Sequence, residues 1–371
     1  MKYMRTFAPV AVAALAVTAA AGPAKADAEA RTGAASASTS LATSATKTAT
    51  MAATSAAGTA ATVKAAAAGA AARYAWVAAC RKPKEGYDVP CGDWKLTLRD
   101  GKTVRVRNAQ VFPRGADGKT DKEITAPFTI SGDGTRLLFF RKSDRKLVYK
   151  NVNGGTHVLP GAAARLPKGL GMGDVFPTFS PSGDAVALNY SDQNGKMPSL
   201  IVRLTDGHIA RIPGDLSVAG FSPDGRRVLT SRFTEDNTTE YTVYDTDGAA
   251  EESRVVPQVV ANNAPVALAD DGVTVGLVIV APENKPRLRL YDLSTDSVSP
   301  AVELPLRSHD SPSRIAWDDS GKLTLWHFTS DKKWTVTRAT TSTVDPSTGA
   351  LRKIDSFKAP AKAWNWWLPG D

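Results

Sequence analysis

A short turn motif recurs along this chain every forty to fifty residues, and that interval restricts the fold more than any other feature. The clearest copies are Phe179-Ser180-Pro181-Ser182-Gly183 and Phe221-Ser222-Pro223-Asp224-Gly225. Degenerate copies are Ile130-Ser131-Gly132-Asp133-Gly134, Leu268-Ala269-Asp270-Asp271-Gly272 and Trp317-Asp318-Asp319-Ser320-Gly321. Their glycines stand at 134, 183, 225, 272 and 321, so successive spacings are 49, 42, 47 and 49. Such a period is what a four-stranded propeller blade needs. The turn chemistry is consistent: Ser or Asp bonds the local backbone, Pro presets φ, and Gly supplies a positive φ.

Each turn is followed by an apolar run, such as Leu137-Leu138-Phe139-Phe140 or Val186-Ala187-Leu188. A third run then alternates, as in Tyr241-Thr242-Val243-Tyr244-Asp245 and Leu288-Arg289-Leu290-Tyr291-Asp292. A fourth ends near proline: Val158-Leu159-Pro160, Ile212-Pro213, Val255-Val256-Pro257, Leu304-Pro305. No long 3.6-period stretch appears after Tyr74, so the domain is all-β. Five blades are visible. Tyr74–Ala78, Trp94–Leu98 and Val104–Val106 read as strands two, three and four of a sixth, and Ala363–Leu368 as its missing first strand. A blade shared between both ends of the domain closes the ring and removes exposed edges. The expectation is a six-bladed β-propeller of four-stranded antiparallel blades over 74–371, with five or seven blades as alternatives. A β-sandwich is the runner-up, but it leaves the period unexplained.

The Phe-Ser-Pro-Asp-Gly turns of about residues 94–358 resemble the WD-like repeat of the TolB C-terminal propeller and of many exported bacterial proteins. The fourth and fifth copies depart from it by lacking Ser-Pro, so differently built turns are expected there. The resemblance implies a protein-interaction role. TolB also carries an N-terminal α/β domain, and an Ala/Thr-rich segment stands in its place here.

The first residues read as a signal peptide over 1–26. Lys2 and Arg5 precede an apolar run from Phe7 to Ala21, which is too short for a membrane span, and Ala24-Lys25-Ala26 is a cleavage site. Residues 27–73 are nearly all Ala, Thr, Ser and Gly, with Leu41, Met51 and Val63 the only large aliphatics. Such a segment buries too little to offset its ordering entropy and reads as a disordered linker. Cys80 and Cys91 suit an exported protein, and a disulfide between them staples the loop between strands two and three of the closing blade. A zinc site wants about four ligands, and the four histidines are scattered. A redox pair is more often C-x-x-C.

The net charge is +9, of which +3 lies in the first 26 residues and +2 in 27–73, leaving +4 for the rest. That is an ordinary surface, and nucleic acid is not an expected partner. Gly115–Thr120 lacks the first glycine of a phosphate loop, and neither G-x-S-x-G nor H-E-x-x-H appears. Asp245/Asp247 and Asp270/Asp271 read as turn acids, and no metal or cofactor is expected.

Candidate binding residues fall in the variable segments. His309 and Asp310 lie between the fourth and fifth repeats, with Arg314 after them. Loops of this kind gather at a channel mouth, so the three are candidates for a polar pocket. Trp326 and Trp334 flank a loop read as His327 to Lys333, and Trp334 is a candidate contact. Trp366 is either an aromatic platform or packing in the closing blade. The function read from these features is a secreted, monomeric, non-catalytic module binding a protein, peptide or cell-envelope polymer. The alternative is a lactonase- or glycosidase-like enzyme with its site at the channel mouth.

Overall fold

The computed structural model describes residues 71–371, apart from 193–194, 281–284 and 319. The expected signal peptide, and the linker as far as residue 70, lie outside the described residues. Blade 1 contains β1 (Ala72–Arg81), β2 (Asp88–Leu98) and β3 (Thr103–Val106). Blade 2 is β4 (Phe128–Ile130), β5 (Arg136–Phe140), β6 (Leu147–Asn151) and β7 (Thr156–Val158). Blade 3 is β8 (Val175–Phe179), β9 (Ala185–Tyr190), β10 (Ser199–Arg203) and β11 (Ile209–Ile212). Blade 4 is β12 (Ser217–Phe221), β13 (Arg227–Phe233), β14 (Thr239–Asp245) and β15 (Ala250–Val256). Blade 5 is β16 (Val266–Leu268), β17 (Thr274–Ile279) and β18 (Arg287–Asp292), with its outer edge split into β19 (Ser297–Val298) and β20 (Val302–Glu303). Blade 6 is β21 (Asp310–Trp317), β22 (Leu323–Ser330), β23 (Val336–Val344) and β24 (Leu351–Lys358).

The last strand, β25 (Ala363–Trp367), pairs antiparallel with β1 and completes blade 1 in the order β25-β1-β2-β3. Its register sets Ala75 opposite Trp367 and Trp76 opposite Trp366. The protein is therefore a six-bladed propeller, closed by a blade built from both ends of the domain. Cys80 and Cys91 are bridged across β1 and β2, with Cα atoms 5.8 Å apart. β1 begins at Ala72, two residues before Tyr74.

Six apolar clusters, one per blade interface, make up the core. This explains why the second strands are apolar on both faces. Alternate side chains of a strand point to opposite sides, and each blade has a neighbour on each side. Leu137 and Phe139 pack toward blade 1, while Leu138 and Phe140 pack toward blade 3. Val228 likewise faces blade 3 and Leu229 blade 5.

The repeated turns are structural. The Ser222 hydroxyl is fully buried; it donates to Asp224 Oδ1 (2.6 Å) and accepts the Arg227 N–H (3.1 Å). Ser131 repeats this with Asp133 and Arg136. The turns also join blades. Arg136 Nη1 donates to the Gly183 carbonyl (2.6 Å), and Arg227 Nη1 to the Asp270 carbonyl (2.8 Å). Gly134 has φ +79°, and a Cβ there would lie 2.5 Å from the Ala72 carbonyl oxygen, so a side chain is barred twice over. The fifth copy, expected to be built differently, keeps the geometry by substitution. Asp318 accepts the Ser320 and Lys322 N–H groups in place of serine, and the glycine remains left-handed in all five turns.

Candidate binding face

Antiparallel order fixes which connections share an end of the ring. Turns joining strands one to two and three to four emerge at one end, where the Ser-Pro-Asp-Gly motifs hydrogen-bond from blade to blade. Hairpins joining strands two to three, and the blade-to-blade connections, emerge at the other. This second end carries the longest connections, 107–127 and 159–174.

Exposed apolar side chains follow the same division. Eleven large ones are exposed among the described residues, and four of them (Val104, Val158, Val255, Ile354) sit on outermost strands. The remaining seven, including Tyr87, Ile124, Phe176, Phe233, Val280 and Trp334, all lie at the second end. Single exposed apolar residues are ordinary, but this one-sided distribution marks a face.

Trp334 stands out within it. It occupies the tip of the β22–β23 hairpin, is 74% exposed, and has φ +60°. Asp331 builds the turn, accepting the Lys333 and Thr335 N–H groups at Oδ1 (2.8 and 2.9 Å). A left-handed conformation costs a non-glycine residue about 1–2 kcal/mol, and no burial of the indole offsets it. The His309 ring meets it edge-on, with centroids 6.5 Å apart. These two candidates are therefore together on the exposed tip.

Asp310 and Arg314 are elsewhere. Asp310 opens β21 and is buried; it accepts from Thr329 Oγ1 (2.6 Å) and from Arg307 Nε (3.2 Å). Burial opposes its ionisation, but these bonds prevail and hold the carboxyl below its ordinary range. Beside it lies His327, which the sequence reading put in a loop. β22 runs on to Ser330, so His327 is a buried strand residue. Burial pulls its imidazole below the usual value, Asp310 opposing and Arg307 assisting, and its Nδ1 has no hydrogen-bond partner. No hydrogen bond joins Asp310 to His327 among the described residues.

Arg314 projects from the innermost strand and donates to the Pro369 carbonyl. Asp371 lies nearby. It keeps contact with water, but it lies against Thr129 of blade 2 as well as near Arg314, and desolvation pushes its carboxyl up to about 6 against the pull of Arg314 and the Leu368 N–H. A carboxyl raised in the folded state contributes stability that is full below the unfolded value of 3.8 and lost as pH rises through about 6. Carboxyl-carbon NMR is expected to follow Asp371 titrating near 6; a midpoint below 4.5 would show that Arg314 dominates.

Trp366 is taken up in packing between blades 6 and 1, against Phe328 (5.1 Å), Phe357 (6.3 Å) and Tyr74 (6.3 Å). A polar cluster unforeseen in the sequence rims the face. Lys82 Nζ bonds Glu85 (3.0 Å), Glu123 (3.0 Å) and the Tyr87 hydroxyl (3.2 Å), tying the β1–β2 hairpin to the 107–127 connection. These bonds raise the Lys82 ammonium pKa, so it stays charged. No described helix is long and apolar enough to cross a membrane.

Fold and face together define a six-bladed propeller with one structural and one apolar, irregular end. No protein-family model matches the sequence, and neither does any curated protein. Among solved structures the chain is similar to TolB from Acinetobacter baumannii, at 17% identity and TM-score 0.44, over 79% of this chain and 64% of that one. It is also similar to the β-propeller domain of the Trilobed protease from Pyrococcus furiosus (11%, TM-score 0.42, 76% and 80% of the two chains). A third is acylaminoacyl peptidase from Pyrococcus horikoshii (12%, TM-score 0.42, 76% and 44%). The chain spans less than two thirds of the length of the first of these and less than half of the last.

Proposed function

We propose that this protein is an exported, non-catalytic propeller that binds a protein or cell-envelope ligand through the end carrying Trp334. The observation behind the reading is Trp334 itself, an exposed indole held in a costly left-handed turn that contributes nothing to the core. Local strain of this kind gathers at functional sites, and tryptophan is the residue most often dominant in interfaces. His309 lies against Trp334, and Phe233 and Val280 are exposed at the same end of the ring. The Cys80–Cys91 bridge accords with an oxidising compartment.

Trp334→Gly separates binding from folding, because glycine takes the left-handed turn without strain. Its stability is expected within about 1 kcal/mol of the parent. Binding to the isolated cell envelope is expected to fall at least about tenfold, since truncating a hot-spot tryptophan removes 2 kcal/mol or more. The measurement is co-sedimentation of the purified exported protein with envelope fractions, after its N-terminus has been read and found near Asp27. Binding that survives both Trp334→Gly and Phe233→Ser overturns the face. An N-terminus at Met1 overturns export.

A further inference from the structure

We infer that the cleft between blades 5 and 6 binds a phosphate group. The cleft holds about 390 Å³, and neither Trp334 nor His309 lines it, so the inference does not rest on the Trp334 patch. Three cationic residues line it from three separate elements. Arg307 comes from the connection between the blades, Arg338 from β23 and Lys353 from β24. Arg307 bonds Asp310, whereas neither Arg338 nor Lys353 has a carboxylate partner among the described residues. Arg338 reaches only the Ser356 hydroxyl, at 3.4 Å.

The floor of the cleft is polar and buried. His327 is 7% exposed, and its Nδ1 is without a partner. Asp310 is 9% exposed, with its oxygens already engaged by Thr329 and Arg307. Thr340 and Ser342 are buried beside them, and Thr340 Oγ1 shares a hydrogen bond of 2.9 Å with Ser356.

Not every blade carries this arrangement. The matching face of blade 3, turned toward blade 2, stays apolar, with Leu188 and Tyr190 on its second strand and Leu200 and Val202 on its third. On the matching face of blade 4, Thr230 and Thr242 are buried but hydrogen-bonded. In blade 6 the interface core stops at Leu325 and Val344, and along the same rows His327, Ser342, Thr340 and Arg338 follow. A buried polar atom without a partner is a cost that folding normally removes; a ligand that bonds it would remove it here.

The donor set favours phosphate over a carboxylate. Cations and hydroxyls approach one volume from several elements, which suits the spread oxygens of a tetrahedral anion. A planar carboxylate is met best by a single guanidinium fork.

Calorimetric titration of the purified exported protein with glycerol 3-phosphate, inorganic phosphate and glucuronate tests this. Saturable binding of a phosphate probe is expected, weakened about tenfold or more in Arg338→Gln/Lys353→Gln as two charge-assisted contacts are lost. Both residues are exposed, so the variant should keep the parent's thermal midpoint. The tighter of the two phosphate probes tells an ester from the free ion. In NMR the His327 ring resonances should move with the titration. Equal affinity in the double variant, glucuronate binding as tightly as phosphate, or no saturation in the parent would each overturn the site.

Discussion

Trp94→Ala is expected to destabilise the fold by about 3–5 kcal/mol, the range for large aromatic truncations in cores. Trp94 is fully buried on β2, at the interface of the closing blade with blade 2. Its ring stacks on Phe128 at 4.4 Å, and Phe128 stacks in turn on Phe139 at 5.8 Å. Its indole N–H donates to the Gln110 carbonyl at 3.0 Å. Alanine would therefore leave a cavity, break an aromatic chain that crosses two blades, and orphan a carbonyl. Trp94→Phe keeps much of the stacking and forfeits the hydrogen bond, and should cost about 1–3 kcal/mol. Urea unfolding followed by circular dichroism measures both. The control is Trp334→Ala, a surface change expected within about 0.5 kcal/mol. Similar losses at 94 and 334 would mean that the interface packing is misassigned.

The contrast between these tryptophans shows what was legible in the sequence. The ring was legible because its signals are local. A left-handed glycine after Ser or Asp marks each first turn, and two-sided apolar runs such as Leu137–Phe140 mark strands enclosed between neighbours. The closing blade was legible because Trp94–Leu98 and Val104–Val106 lacked a first strand that Ala363–Leu368 could supply. The site was less so. His327 was misplaced because apolar residues on both sides of it, Trp326 and Phe328, read equally as a strand or as the rim of a loop. Asp310 and His309 are neighbours in sequence, yet one is buried and the other exposed, since β21 begins between them. The cleft draws on residues from 305 to 356, in blade 6 and the connection leading into it, and no local pattern reports which side chains face it. The positive φ of Trp334 is equally silent, because tryptophan is not a residue that announces a left-handed turn.

Removing the disulfide is expected to have the next largest effect. In the chain-entropy model, a bridge between residues separated by 11 positions contributes about 2.5–3 kcal/mol. The Cys80→Ala/Cys91→Ala variant should lower the urea midpoint accordingly, and dithiothreitol should do the same to the parent while leaving the variant unmoved. The loss arises mainly in the unfolded chain, which gains freedom, so far-ultraviolet circular dichroism of the folded variant should match the parent. The position of the bridge sharpens the expectation. It lies where β1 and β2 approach the hairpin held by Lys82, Glu85, Tyr87 and Glu123, and β1 also pairs with β25 to close the ring. Loosening β1 therefore weakens closure itself, and unfolding of the variant should stay a single transition at lower urea. A separate early transition confined to blade 1 would show that the closing blade unfolds independently, and that the interfaces on either side of it, rather than the staple, hold the ring together.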